Sequence, residues 1–214
     1  MNRYLLQQNE TGTRLVDRCS HQHPLLIDFA APAYRRRLKK GGASKELLAK
    51  AVGVRPGLTV LDCTAGLGRD SFLLAYLGCN VTMLERSRVM YLLLKNALER
   101  AALNDELRET AKRLELRHGN AQGYLSGLAS LPDVAIIDPM FPTRKKSASV
   151  KGEMQFLQRF VGKDEDAEAL LRVTLQSGVS RIVLKRPIHA SVTSDLKPSF
   201  SQKGKSSRFD VFLQ

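Results

Sequence analysis

From residue 44 onward the apolar positions follow two alternating rhythms. Short aliphatic runs, LTVLDC (58–63), NVTMLE (80–85), RLELRH (113–118), DVAIID (133–138) and RIVLKR (181–186), predict strands. Between them DSFLLAYLG (70–78), RSRVMYLLLKNALERAAL (86–103) and DEDAEALLRVTLQ (164–176) repeat apolar residues at helical spacing. SKELLAKAVG (44–53) predicts one more helix ahead of the first strand. Alternation of this kind belongs to an α/β fold: a mostly parallel sheet with helices on both faces. The tail departs from it, because PSFSQ and RFDVFLQ flank the turn residues KGKSS and predict a C-terminal antiparallel hairpin. Long connections are expected before residue 44 and across 139–152, and no repeat or low-complexity segment interrupts the chain.

With 214 residues, 43% of them apolar, the chain holds one ordinary domain and a small appendage. The division expected is residues 1–43, a basic extension or small subdomain, and residues 44–214, the main domain. MNRYLLQQNETGTRLVD has no apolar signal-like core, and no run of about 18 apolar residues offers a membrane span. Three cysteines without CxxC spacing fit a reducing compartment. A soluble, cytoplasmic protein is therefore expected. Cys19, His21 and His23 amount to half a metal site with no second cluster, so no metal is expected either.

Charge changes this picture. The net charge is +13, yet residues 51–143 hold ten cations and ten anions. The excess sits in residues 35–50 (seven cations, one anion), 144–163 (six and one) and 185–214 (six and two). Clustered rather than dispersed, such charge points to a polyanion, and nucleic acid is the expected partner.

Two places on the predicted sheet carry candidate chemistry. The first strand runs into LDCTAGLGRDSFLLA, where Gly66 and Gly68 permit a tight turn and close ligand approach at a helix N-terminus. Glu85 ends the next strand about twenty residues on, where a carboxylate can accept hydrogen bonds from both ribose hydroxyls of a nucleotide. The turn lacks the three-glycine spacing that accommodates a pyrophosphate. Asp62 and Asp70 would repel one but suit the ammonium and sulfonium of S-adenosylmethionine, whose carboxylate Arg69 can pair.

The second place is IIDPMFPTRKKSASVK (136–151). Asp138 falls at the carboxyl end of the fourth strand, beside the ligand crevice of open α/β sheets. Pro139 and Pro142 stiffen the loop and leave carbonyl oxygens as acceptors, which an exocyclic amino group needs. Phe141 offers a stacking face, worth about 1–3 kcal/mol per base in single-strand binders. The block resembles the Asp/Asn-Pro-Pro-Tyr/Phe motif of exocyclic-amine methyltransferases, with Met140 in place of the second proline. Asp138, Pro139 and Phe141 are the expected catalytic positions. Arg144, Lys145, Lys146 and Lys151 are expected on flanking phosphates, and Arg35, Arg36 and Arg37 form a second set with Tyr34 as a stacking partner.

Together DFAAPAYRRRLKKGG, TAGLGRDSFLLAYLGC, MLER, IDPMFPTRKKSASVKGEM and VLKRP closely resemble the ribosomal RNA small subunit methyltransferase J family over roughly residues 25–214. The resemblance implies a Rossmann-like class I methyltransferase with a seven-stranded sheet. It implies S-adenosylmethionine as cofactor and a guanine N2 of 16S rRNA, free or in the small ribosomal subunit, as target. In that pattern Arg69, Asp70, Glu85, Arg86 and Asp138 are cofactor contacts. Asn120 and Ala121 stand where the family often has two serines, and the segment before residue 25 is shorter than usual. Methylation of adenine N6 or cytosine N4 uses the same acceptor loop and is the rival enzyme reading. A non-catalytic RNA-binding assembly factor is the rival of another class. An NAD-dependent dehydrogenase leaves the DPMF loop unexplained.

Overall fold

The computed structural model describes residues 3–40, 45–139, 152–161, 166–190 and 196–214. A long connection was expected before residue 44, but most of that stretch is folded. Strands β1 (Tyr4–Asn9) and β2 (Gly12–Asp17) form an antiparallel hairpin. Helix α1 (Pro32–Lys40) follows, with proline at its first position, where no backbone donor is needed. Tyr34 and Leu38, one turn apart on α1, are buried together with Leu15, Leu25, Ile27 and Phe29. All six belong to the same apolar cluster as Phe72, Met83 and Leu94 of the main sheet domain. The N-terminal residues therefore complete the main core.

Helix α2 (Leu47–Val52) ends at Gly53, whose φ of 73° makes a left-handed cap. Strand β3 (Thr59–Asp62), helix α3 (Arg69–Tyr76), strand β4 (Asn80–Glu85) and helix α4 (Arg88–Leu103) come next. Ser87 caps α4 by accepting from the Met90 amide at 3.4 Å, and Met90, Leu93, Leu94, Ala97 and Ala101 form its buried stripe. The short α5 (Arg108–Ala111) leads to β5 (Leu114–His118), and α6 (Ala121–Ser126) leads to β6 (Val134–Ile137). Helices α7 (Gly152–Val161) and α8 (Ala167–Gln176) precede β7 (Arg181–Pro187). Strands β8 (Phe200–Lys203) and β9 (Ser207–Leu213) form the predicted hairpin.

The seven-stranded sheet has the order β5-β4-β3-β6-β7-β9-β8, parallel through β7, with β9 antiparallel to β7 and β8 antiparallel to β9. Pleat alternation sorts side chains to two faces. Val60, Met83, Ile136 and Val183 share a cluster with the buried faces of α2, α3 and α4, while Leu61, Leu84, Ile137 and Leu184 share one with α6 and α8. Every residue of β6 is buried, as expected for a central strand covered on both sides. The fold is the expected Rossmann-like one. Its direction of winding reverses between β3 and β6, and such switch points are where open α/β sheets bind ligands. Among the described residues, no helix is long and apolar enough to cross a membrane, and no group of three His, Cys, Asp or Glu side chains is placed to hold a metal ion.

Candidate active site

The crevice begins where β3 ends. Asp62 is buried, and its carboxylate accepts from the Thr64 amide at 3.0 Å and from the Ser71 hydroxyl. Burial pushes its pKa up to about 7, although both hydrogen bonds favour the charged form. Asp62 thus ties the turn to α3 from beneath. This corrects the expectation that its carboxylate would face the cofactor's ammonium.

The turn itself is open where a ligand would approach. Gly66 has φ of 54°, and a Cβ there would have only the Thr64 carbonyl oxygen within 4 Å, at 3.8 Å. Gly68 has φ of 68° and is closed by packing, since a Cβ would lie 2.7 Å from Leu94 and 2.9 Å from Met83. Glu85, at the end of β4, braces the turn by accepting from Gly66 N at 3.0 Å and Ser87 N at 2.7 Å. A carboxylate has about four lone-pair sites, so these two bonds are compatible with further acceptance from a ribose. An open glycine turn, a strand-end carboxylate and a helix N-terminus fit a nucleoside-bearing cofactor.

Asp138 lies across the switch point from that turn. Its amide donates to Thr64 Oγ1 at 2.7 Å, which joins the end of β6 to the glycine turn directly. Its carboxylate accepts from Lys185 Nζ, on β7, at 2.6 Å. The same Nζ donates to Asp70 Oδ2 at 2.9 Å, and Arg37 reaches Asp70 Oδ1 at 3.2 Å while also pairing with Glu46. Burial works against the charge of Asp70, but Lys185 and Arg37 outweigh it and hold the carboxyl below the ordinary value. Burial likewise works against the charge of Lys185, and Asp70 and Asp138 more than reverse that. In the sequence Lys185 is simply a cation of the RIVLKR strand; the signal for its role is its position beside Asp138, toward the end of the neighbouring strand.

The remaining expected residues divide by environment. Tyr34 is not available as a stacking face: it is buried against Phe29 and Phe72, and its hydroxyl donates to the Arg69 carbonyl at 2.6 Å. Burial also raises its phenol pKa. Arg37 is turned inward to Glu46 and Asp70, and Arg35 pairs with Glu106, whereas Arg36 is exposed. Arg86 pairs with Asp166 at 2.8 Å on the surface. Asn120 caps α6 by accepting from Gly123 N at 2.8 Å, next to the buried Ala121. Pro139 is buried directly after Asp138. Phe141, Arg144, Lys145, Lys146 and Lys151 lie outside the described residues.

The family model for SAM-dependent methyltransferases matches residues 1–214. Ribosomal RNA small subunit methyltransferase J of Aeromonas hydrophila is 48% identical over 190 residues, covering 87% of this chain and 77% of that protein. The protein of the same name from Pseudomonas aeruginosa PAO1 is 45% identical over 213 residues, covering 98% of this chain and 82% of its own length. A SAM-dependent methyltransferase from Neisseria gonorrhoeae superposes with a TM-score of 0.75 at 35% identity, covering 94% of this chain and 78% of that structure.

Proposed function

The chain belongs to the ribosomal RNA small subunit methyltransferase J family of S-adenosylmethionine-dependent enzymes, and from that premise we propose that it methylates the exocyclic N2 of a guanine in small-subunit rRNA. The observation that carries the reading is the bond between Asp138 and Thr64, which sets Asp138 against the glycine turn at the switch point. A ribosomal substrate assigns the work to the cytoplasm.

When bound, S-adenosylmethionine supplies an electrophilic methyl on a sulfonium. Glu85 would hold the ribose hydroxyls, and Arg86, with the backbone at Asn120 and Ala121, would border the adenine. Arg69 and Asp70, at the start of α3, would take the amino-acid end, and Gly66 would let the backbone come close. Asp138 accepts from the guanine amino group. That amine is a weak nucleophile because its lone pair is delocalised into the ring, so orientation in line with the methyl and a nearby negative charge matter most. Pro139 keeps the loop rigid and Phe141 gives the base a stacking surface. Methyl transfer would form an N–C bond as the cofactor's C–S bond breaks, and Asp138 or water would take the surplus amine proton. Arg36, Arg144, Lys145, Lys146 and Lys151 contact phosphates beside the target.

Asp138→Ala tests this assignment. Turnover on small-subunit rRNA is expected to fall about 10²–10³-fold, with S-adenosylmethionine binding still measurable by calorimetry. Normal turnover in that variant would remove Asp138 from the mechanism.

A further inference from the structure

Lys185 is a half-buried cation held by two carboxylates from distant parts of the chain. Asp138 directly follows β6, where the base is expected, and Asp70 lies in the first turn of α3 beside the glycine turn. Two carboxylates this near one another repel unless a cation stands between them. Among the described residues, Asp62 from β3, Arg37 from α1 and Glu46 beside α2 are charged groups that also bear on the pair. Arg37 is shared between Glu46 and Asp70, and Lys185 bridges Asp70 and Asp138. An ammonium suits the position, because its three donors rotate and can serve two carboxylates at once.

We propose that Lys185 is a positioning residue for methyl transfer: it clamps Asp138 and locks it to the first turn of α3, keeping the base-holding and cofactor-holding sides of the crevice in register. The proposal rests on the role given to Asp138 above. Lys185 touches neither reactant; it acts through the carboxylate. The strand does not depend on it, since β7 is paired along its length with β9 through a seven-residue ladder. Removing the cation takes one positive charge from between Asp70 and Asp138, weakens the tie between them and raises the pH at which Asp138 takes up a proton. Once protonated, Asp138 loses its charge and its full acceptor capacity, so turnover fails at a higher pH than in the native enzyme.

The test compares Lys185→Met, Lys185→Arg and Asp138→Ala with the native protein in single-turnover methyl transfer to small-subunit rRNA across the acid-to-neutral range. Lys185→Met is expected to slow transfer about 10²-fold at neutral pH and to move the acid limb upward by about 1–3 pH units. Lys185→Arg restores charge, so its limb returns toward the native position even if its geometry leaves the rate reduced. A Lys185→Met limb that overlays the native one, with Asp138→Ala inactive, overturns this proposal alone. Native turnover by Asp138→Ala overturns the reading of Asp138 and this proposal with it. If Lys185→Met does not fold, Lys185→Gln, which keeps a donor, reads the same limb.

Discussion

Asp62 shows how far a single side chain can depart from its reading in sequence. An acid two residues before the turn reads as a ligand for a cationic cofactor; Ser71, nine positions later, draws it inward instead. That contact depends on the pitch of α3 and is not a spacing rule that sequence displays. The consequence is a pH-dependent stability. The unfolded carboxyl titrates near 3.8 and the folded one near 7, so the native state retains a proton the unfolded chain has released. Stability from this group is fully present below the lower value, declines through that window as pH rises, and is flat above it. Asp62→Asn keeps an acceptor for Thr64 N and never ionises. Its stability relative to the native protein should therefore improve by at most about 1.4 kcal/mol per pH unit across the window. Urea unfolding at mildly acidic and mildly alkaline pH measures this; parallel curves for the two proteins would contradict the burial argument. Lys185 was legible only as a cation at a strand end, because its two partners lie 115 and 47 residues away in the chain.

Strands and long helices were the most legible elements, because β3, β6 and β7 bury short continuous runs and α4 buries a stripe at helical spacing, each large enough to fix its type. The β1–β2 hairpin was missed. Its strands are short, Leu5 faces solvent, and polar residues occupy most of its exposed face, so alternation is weak. Helix α1 was read for its charge, which concealed Tyr34 and Leu38 as an inward pair. The glycine turn allows a contrast at the level of the element. Gly68→Ala must accept a left-handed φ and displace Leu94 and Met83; a loss of about 1–3 kcal/mol is expected in the absence of cofactor. Gly66→Ala meets no such neighbours, so about 1 kcal/mol of backbone strain is expected, with its main effect on S-adenosylmethionine affinity. Thermal unfolding and calorimetry on both variants separate packing from ligand approach. At α4, Ser87→Ala removes the cap on Met90 N and should cost about 1 kcal/mol, read by chemical denaturation.

For the whole molecule, the net charge of +13 indicated a polyanion but not which cations meet it. The structure diverts Arg37 into the crevice and pairs Arg35 with Glu106, leaving Arg36 the exposed arginine of that run. Affinity for small-subunit rRNA should fall with salt, with a log–log slope near −0.7 per phosphate contacted on single-stranded RNA. Arg36→Ala and Lys145→Ala should each reduce that slope by about one contact, whereas Arg37→Ala should leave it unchanged and lower stability instead. Filter binding over a salt series distinguishes them. The central claim, a methyl placed on guanine N2, is tested most directly by labelled S-adenosylmethionine offered to unmodified small-subunit rRNA and to small subunits, with the label then mapped by nucleoside analysis. N2-methylguanosine at a single position is the expected result, and label recovered on adenine or cytosine would contradict methylation of guanine.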